Sequence, residues 1–485
     1  MSLSEFFRDL NAILPLVILI VWASLLLVAD LFIPGERKGI TALLAALGLL
    51  VTLSVSVARV SQSYSAFNGM IVIDGFATYL QVLFVVSGLL AIILAYDYMK
   101  RMNLERGEFY ILLLFSIVGM MLMASAADLI VVFLALELLS IPLYVLAGFA
   151  VPLLESEEAS LKYFLLGAFS TGILVFGIAM IFGATGNTSL KAIIASIDSG
   201  AANATLLLIG AGLLLVGLGF KVAVVPFHMW TPDVYQGAPS PVTAFMAVGA
   251  KAAGFAALLR IFILAFPSIA ADITPILWVV SALTMILGNV VAIAQNNIKR
   301  LLAYSSIAQA GYILMALVPY GNPALSAASV ASALFYLLAY AFTSYTAWAV
   351  IIALEQSEGK GLLLNDYAGL GRKYPLLGAA MAIAMLSFTG VPPTLGFVGK
   401  FFIFSTVLQG GYLSLALIGV LTSLISAYYY LRVVVIMYMR EGDPVVHRTS
   451  ILFYTTAIIA ACTVVLSIFA NPLFNWVSQA VLQLF

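Results

Sequence analysis

Two lysines stand inside apolar runs that are long enough to cross a membrane. Residues 217–260 read GLGFKVAVVPFHMWTPDVYQGAPSPVTAFMAVGAKAAGFAALLR, and the two runs flanking the polar connection carry Lys221 and Lys251. A lysine at the centre of a membrane helix costs roughly 2.5–3.5 kcal/mol. Pro226 also interrupts the first run, and the main-chain carbonyl that loses its helical donor there must bind protein or cavity water. A charge beside a helix break at membrane depth indicates an ion path.

Composition supports a membrane protein and excludes several other classes. Of 485 residues, 64% are hydrophobic and 9% are charged, whereas a soluble protein carries about 25% charged residues. The formal net charge is zero, so no basic surface for nucleic acid is expected. One cysteine, Cys462, and two histidines, His228 and His447, cannot ligate an iron–sulfur cluster, and they disfavour a structural zinc site or a protein-held haem. Any linked redox chemistry is therefore expected on another chain.

Apolar runs of about 20 residues, the length of one membrane crossing, recur along the whole chain. We predict an all-α polytopic membrane protein with about fourteen transmembrane helices. Because the connections are short, residues 1–485 are expected to form a single membrane domain. The first run has full spanning length and no cleavage pattern after it, so no cleavable signal peptide is expected. The predicted spans are 12–33, 39–58, 75–97, 108–124, 127–150, 158–183, 204–230, 240–265, 273–294, 299–319, 324–354, 375–407, 411–439 and 451–473.

A second broken span echoes the first. The sequence SFTGVPPTLGFVGKFF places Pro392 and Pro393 inside a long apolar run, and Lys400 follows them. Broken helices in corresponding parts of two halves indicate an inverted-repeat transporter fold, although proline and glycine are also common in ordinary membrane helices. We predict two inverted repeats of five spans each, with spans 7 and 12 broken. The predicted divisions are 1–107 (spans 1–3), 108–265 (spans 4–8), 273–440 (spans 9–13) and 451–473 (span 14).

Basic residues are distributed unequally between the two sides of the predicted bundle. The side that carries more of them is expected to face the cytoplasm, so both termini are expected in the periplasm of a bacterium. The opposite side carries Arg8, Arg59 and Lys191. The connections after odd-numbered spans carry thirteen: Arg37, Lys38, Lys100, Arg101, Arg106, Lys162, Lys299, Arg300, Lys360, Arg372, Lys373, Arg440 and Arg448.

Three further charged residues bear on function or packing. Glu137, in LALELLSIPLY, is the only acid in the middle of a span, and a nearby ammonium would let it stay charged. Such a pair could pass a proton or be a static structural ion pair, and ionisable residues inside membranes are functional by default. Arg260 and Arg432 lie near span ends, where we expect their side chains to reach the membrane surface.

Two other candidates carry less specific signals. His228 follows Lys221 by seven residues, so a regular helix would place both on one face, although Pro226 weakens that inference. His228 could relay protons or cap the broken helix. Lys162 opens the sixth span and could extend to the membrane surface or reach the interior.

Four motifs carry a resemblance to a known family. GFKVAVVPFHMWTPDVYQGAPSPV, LELLSIPLY, NIKRLLAYSSIAQAGY and GVPPTLGFVGKF occur in that order. Together they resemble the antiporter-like membrane subunits of respiratory complex I, the proton-pumping NADH:quinone oxidoreductase. The resemblance covers essentially the whole chain.

The resemblance implies a path for protons at the membrane midplane. In the family, the glutamate of span five pairs with the lysine of broken span seven, here Glu137 and Lys221. The lysine of span eight, here Lys251, connects to the deep residue of broken span twelve, here Lys400. Lys162 matches an additional lysine of span six. Separation of Glu137 from Lys221 would remove the counter-ion of the lysine, which would then release its proton towards Lys251 and Lys400.

The resemblance also implies the setting of the chain. Electrons would pass from NADH to quinone on other subunits, which would carry the FMN and the iron–sulfur clusters, so no cofactor or metal is expected on this chain. Its partners would be other membrane-arm subunits, especially other antiporter-like ones, in the bacterial inner membrane. Three alternatives remain: a subunit of a multisubunit cation/proton antiporter, a subunit of a related membrane-bound hydrogenase or dehydrogenase, and a scaffold without transport.

Overall fold

The helices of the chain follow its apolar runs. A computed structural model describes residues 2–60, 62–447 and 449–482, without the side chains of residues 358 and 482. In chain order the α-helices are α1 (Leu3–Ala12), α2 (Leu14–Asp30), α3 (Gly39–Ala58), α4 (Gly75–Arg101), α5 (Gly107–Ser125), α6 (Leu129–Ala147), α7 (Leu154–Thr185), α8 (Leu190–Asp198), α9 (Ala204–Val222), α10 (Trp230–Gly237), α11 (Ser240–Phe245), α12 (Lys251–Ala265), α13 (Ala270–Ile293), α14 (Ile298–Met315), α15 (Ser326–Leu354), α16 (Leu370–Lys373), α17 (Pro375–Thr389), α18 (Leu395–Gln409), α19 (Leu413–Met439), α20 (Ser450–Ile468) and α21 (Ala470–Leu482).

Twelve helices of the described part are long and apolar enough to cross a membrane, with α11 and α12 counted as one. The prediction of a polytopic helical membrane protein is therefore confirmed. The pair α1 and α2, which are bent by 88° relative to each other, would raise the number of candidate spans to thirteen if the pair is counted as one span. The shorter apolar helices α17 and α18 occupy the predicted span 12. With this broken pair counted as one crossing, the helices correspond to the fourteen predicted spans.

A small antiparallel hairpin departs from the all-α prediction. Strands β1 (Tyr64–Ala66) and β2 (Ile71–Ile73) pair with Tyr64 opposite Ile73. The strands lie between α3 and α4, outside the spanning helices. The short helix α8 also lies outside the predicted spans, and α21 overlaps only the last four residues of the predicted span 451–473.

Three spans form the centre of the bundle. The most apolar stretches of the α11–α12 span, α14 and α15 are 94%, 94% and 89% buried. By comparison, 39% of the corresponding stretch of α3 and 28% of that of α20 are buried, as expected for helices that face lipid on one side. Any charged residue on the three central helices is therefore held among protein groups.

Both predicted breaks are present in the backbone. Helix α9 ends at Val222, and α10 begins only at Trp230. Helix α17 ends at Thr389, and α18 begins at Leu395. Pro226 and the pair Pro392–Pro393 lie in these two non-helical segments.

The expectation for Arg260 is wrong. Its side chain is 3% exposed and makes two hydrogen bonds of 2.9 Å to the carboxylate of Asp74, the residue that caps α4. Its Nε donates to the carbonyl of Ala124. Because a neighbouring helix supplies a carboxylate at this depth, the guanidinium has no need to extend to water. Arg432, by contrast, is only partly buried and donates to the carbonyls of Ile293 and Gln295 at the end of α13, so its side chain extends to a span end.

Candidate functional site

Lys221 lies at the open end of the first broken helix. It occupies the last turn of α9 and is 4% exposed. Its Nζ donates to Ser140 Oγ at 2.8 Å and to Tyr163 Oη at 3.1 Å. A cation near a helix C-terminus is stabilised by the unpaired carbonyls there. The break and the two hydroxyl groups together hold the ammonium at depth.

Glu137 does not form the direct ion pair with Lys221 that the resemblance implies. Among the described residues, the ion pairs within 4 Å do not include these two groups. Glu137 Oε1 instead accepts a hydrogen bond of 2.8 Å from Thr171. Ser140 lies three residues after Glu137 on α6, on the same helix face. The Ser140 hydroxyl, which binds Lys221, thus lies one turn from the carboxylate.

The first break holds His228 apart from Lys221. Ala223 ends α9 with φ at +63°, a left-handed conformation that a non-glycine residue adopts at a cost. The chain is then held by Val225 N–H, which donates to Thr284 Oγ1 on α13 at 2.9 Å. The His228 Nδ1 has no hydrogen-bond partner among the described residues. Because residues 223–229 are not helical, His228 does not share a regular helix face with Lys221.

Lys251 stands where one helix type changes to another. Residues Met246–Ala250 form a π-helical turn that joins α11 to α12, and such turns are frequent at functional sites. The Lys251 Nζ lies 2.5 Å from Ser306 Oγ and 2.6 Å from Ser306 O. Tyr340 also donates to Ser306 Oγ at 3.0 Å. Lys251 therefore contacts the centre of α14 directly.

Lys400 closes the second break. Its Nζ donates to the carbonyls of Phe388 at 2.9 Å and Thr389 at 3.1 Å, and to Ser423 Oγ at 2.8 Å. Gly390 follows these carbonyls with φ at +90°, and an added Cβ there would lie 3.0 Å from Lys400 Cδ. The close approach of lysine to the end of α17 therefore requires glycine at this position.

Polar groups of α14 connect Lys251 with Lys400. One turn after Ser306, Gln309 Nε2 lies 3.4 Å from the Phe388 carbonyl that Lys400 also binds. Gln309 Nε2 donates as well to Tyr430 Oη at 3.1 Å. Ser306 and Gln309 thus lie on one buried face of α14, with Lys251 of α12 at one end and Lys400 of α18 at the other.

Lys162 lies outside this buried chain. Its side chain is 40% exposed, and its Nζ lies 2.7 Å from both Glu158 Oε1 and Asp233 Oδ2. Arg300 pairs with the other oxygen of Asp233 at 2.7 Å. Of the two possibilities for Lys162, the structure has the one at the surface, because carboxylates on α7 and α10 hold the ammonium there.

One buried ion pair is not evident from the sequence. Lys299 and Glu355 both stand at the boundaries of apolar runs, yet their side chains are 2% and 8% exposed, and Lys299 Nζ lies 3.6 Å from Glu355 Oε1. The available signal is weak: Glu355 directly follows the apolar run of α15. Within the part of the chain that the structure describes, no group of three or more His, Cys, Asp or Glu residues could hold a metal ion.

The arrangement is suited to moving protons. Lysine side chains can bind and release protons, while hydroxyl and amide groups can hold water by hydrogen bonds. The two helix breaks adjoin Lys221 and Lys400, and main-chain groups at such breaks must bind protein or water.

Comparison with known proteins identifies the family of the chain. Residues 126–426 match the family described as NADH:quinone oxidoreductase/Mrp antiporter, TM. NADH-quinone oxidoreductase subunit N of Trichlorobacter lovleyi is 48% identical over 437 residues, covering 90% of this chain and 88% of the relative. The protein of the same name from Chloroflexus aggregans is 44% identical and covers 98% of both chains.

Solved structures extend the likeness to the fold. A chain of respiratory complex I from Thermus thermophilus has a TM-score of 0.81 at 35% identity and covers 95% of this chain and 98% of that one. A chain of the Mrp complex from Dietzia has a TM-score of 0.84 at 20% identity, covers 100% of this chain and 98% of its own, and shows the fold alone. The chain belongs to the NADH:quinone oxidoreductase/Mrp antiporter family of membrane proteins, and relatives called subunit N of NADH-quinone oxidoreductase span nearly all of it.

Proposed function

We propose that this chain is a proton-translocating membrane subunit of a bacterial NADH:quinone oxidoreductase. The observation that carries the proposal is the set of lysines, Lys221, Lys251 and Lys400, each buried and each bound to hydroxyl or carbonyl groups rather than to a carboxylate. Retaining a buried charge without a paired counter-ion is costly. A site that must gain and lose a proton during transport gives a reason to retain such a lysine despite this cost.

Each residue has a role that follows from its contacts. Glu137 lies one helical turn from Ser140, which binds Lys221, so a change in the complex that alters the separation of Glu137 and Lys221 would alter the charge state of the lysine. Loss of the carboxylate's influence makes the charged form of Lys221 less favourable, so a proton moves towards Lys251 through water. The Ser306 and Gln309 groups then guide it to Lys400.

Redox chemistry belongs to partner chains in this proposal. FMN and iron–sulfur clusters would lie on other subunits, which transfer electrons from NADH to quinone, and other antiporter-like subunits would adjoin this one. One cysteine in 485 residues supports that division. This chain would then be part of a translocase without holding its redox centre.

Topology and orientation complete the proposal. Two inverted repeats, residues 108–265 and 273–440, would each contribute one broken helix to the midplane. Fourteen crossings would place both termini on one side, and the distribution of basic residues favours the periplasm. Arg448, one of the basic residues used for orientation, lies outside the described residues.

Purification through a tag on this chain, in mild detergent, tests the function. The expected result is co-purification of flavin- and iron–sulfur-containing subunits together with NADH:quinone reductase activity. Recovery of cation/proton antiporter subunits without redox activity would contradict the proposal and support the first alternative. Recovery of hydrogenase subunits would support the second.

A further inference from the structure

One buried ion pair lies outside the chain of lysines described above. Lys299, in the first turn of α14, and Glu355, which follows α15, approach to 3.6 Å between Nζ and Oε1. We propose that this pair is the proton-loading site that supplies Lys251 from the membrane side carrying most basic residues. The proposal rests on the proton-translocating function proposed above and adds the point of entry.

The pair is loosely bound for one so deeply buried. Charge-assisted N–H···O bonds usually measure about 2.7–2.9 Å, whereas Lys299 Nζ makes its 2.7 Å bond to the carbonyl of Ala238 instead. Glu355 Oε2 has no hydrogen-bond partner within the described part of the chain. A half-satisfied buried pair costs stability, which argues against a purely structural role. It leaves one carboxylate oxygen open to an incoming proton.

A polar surface cavity lies beside the segment that binds Lys299. The cavity has a volume of about 250 Å³ and is lined by Lys162, Asp233, Arg300 and Gly237, among others. Ala238, the residue after Gly237, supplies the carbonyl that accepts the hydrogen bond from Lys299 Nζ. One peptide unit therefore separates a lining residue of the cavity from the main-chain partner of the buried ammonium.

Several polar groups lie near the carboxylate, and two buried hydroxyls among them have no partner within the described residues. Tyr98, Arg101 and Tyr367 interact electrostatically with Glu355. The Tyr367 hydroxyl and the hydroxyl of Ser240, which is fully buried at the start of α11, have no hydrogen-bond partner among described residues. Buried polar atoms of this kind are commonly satisfied by internal water. The surroundings therefore suit a hydrated site.

The pair also faces inward to Lys251. Ser306, which binds Lys251, follows Lys299 on α14 by seven residues. Seven residues are about two turns, so both side chains lie on one face about 10 Å apart. The Tyr340 hydroxyl donates to Ser306 Oγ at 3.0 Å. Hydroxyl groups therefore mark the inner end of the interval that water would have to bridge.

Proton transfer through the pair proceeds in three steps. Glu355 takes a proton from water on the cavity side, forming an O–H bond and removing the negative partner of Lys299. Lys299 then releases one N–H proton to water on the inner side, and that proton forms a new N–H bond on the neutral amine of Lys251. The Glu355 proton moves to the amine of Lys299, which restores the ion pair. The net result is one proton moved from the cavity to Lys251.

Variants of the assembled complex in inside-out vesicles test the loading site. Glu355→Gln and Lys299→Met should each slow NADH:quinone turnover and proton uptake at least about fivefold. The solvent deuterium isotope effect should rise, because proton capture becomes rate-limiting, and acidifying the external medium should partly restore the rate with Glu355→Gln. The matched control is Asp443→Asn, which removes an exposed carboxylate that pairs with Lys373 and should retain wild-type values.

The possible results distinguish a failure of the loading site from a failure of the proposed proton-translocating function. Wild-type turnover in both variants would overturn the loading site. Slower turnover with an unchanged isotope effect and no recovery in acid would overturn it as well, because that is the behaviour expected of a purely structural pair. Lys251→Met provides the second arm. If Lys251→Met slows turnover but Glu355→Gln turns over at the wild-type rate, only the loading site is contradicted. If Lys251→Met, Glu355→Gln and Lys299→Met all turn over at the wild-type rate, the proposed function is contradicted. Native gels establish equal assembly in each case.

Discussion

The ammonium of Lys400 lies 2.9 Å from the carbonyl oxygen of Phe388, in the last turn of α17. The second broken helix thus presents its unpaired carbonyls to a cation. A charge in such a position gains about 0.3–1 kcal/mol, and up to ~2 kcal/mol when partly buried. The break therefore offsets part of the cost of holding a lysine away from water.

Neutralising Lys400 should impair coupled transport without preventing assembly. Lys400→Met keeps the length of the side chain and removes its charge, so proton delivery beyond Gln309 should slow by at least about fivefold, equivalent to ~1 kcal/mol in the barrier. Redox-driven proton transport in vesicles measures the effect. Lys191→Met, at an exposed lysine of α8, is the control and should pump normally.

Gly390 should be needed for function as well as for backbone conformation. Gly390→Ala adds a Cβ at positive φ and within 3.0 Å of Lys400 Cδ. Gly411→Ala also adds a Cβ at positive φ, but nothing lies within 4 Å of it. Both variants should lose about 1–2 kcal/mol of stability, measured by thermal unfolding, yet only Gly390→Ala should lose pumping. Equal pumping in the two would show that the contact with Lys400 has no functional weight.

Gln309 should be a necessary polar group between two lysines. Gln309→Leu removes the amide that reaches the Phe388 carbonyl while keeping a similar volume. Turnover should fall at least about threefold, or roughly 0.7 kcal/mol. Gln81→Leu makes the same change at a buried glutamine of α4 whose amide donates to Ser125. Matching turnover in both variants would contradict the assignment of Gln309 to the path.

The Arg260–Asp74 pair should matter for stability rather than transport. Asp74→Asn leaves a buried guanidinium without its carboxylate, which should cost about 3–5 kcal/mol of stability. Asp443→Asn, at an exposed pair, should cost less than about 1 kcal/mol. Thermal unfolding in detergent compares the two. Complexes that do assemble with Asp74→Asn should pump at the wild-type proton-to-electron ratio.

The spans and their breaks could be read from the sequence because each depends on local chemistry. Apolar length specifies a crossing, and Pro226 and Pro392 remove helical donors wherever they occur. The prediction was good to a few residues for most helices. It included the burial of Lys221, Lys251 and Lys400, since a lysine so far from a span end cannot reach water.

Partners across helices could not be predicted in the same way. Arg260 and Lys299 lie near span ends in the sequence, and only packing shows that Asp74 and Glu355 meet them below the surface. Conversely, Lys162 stays at the surface because Glu158 and Asp233 bind it there. The distance of a residue from a span end thus fails to predict burial where another helix supplies an opposite charge.

The proposed proton path runs from Glu137 through Lys221 and Lys251 to Lys400. Its decisive measurement is the proton-to-electron ratio of the reconstituted complex during NADH oxidation, with Glu137→Gln or Lys221→Met in this chain. We predict normally assembled complexes with a lowered ratio or, if transport and electron transfer cannot be separated, a matching fall in NADH oxidation. A wild-type ratio together with wild-type oxidation in both variants would show that protons do not follow this path.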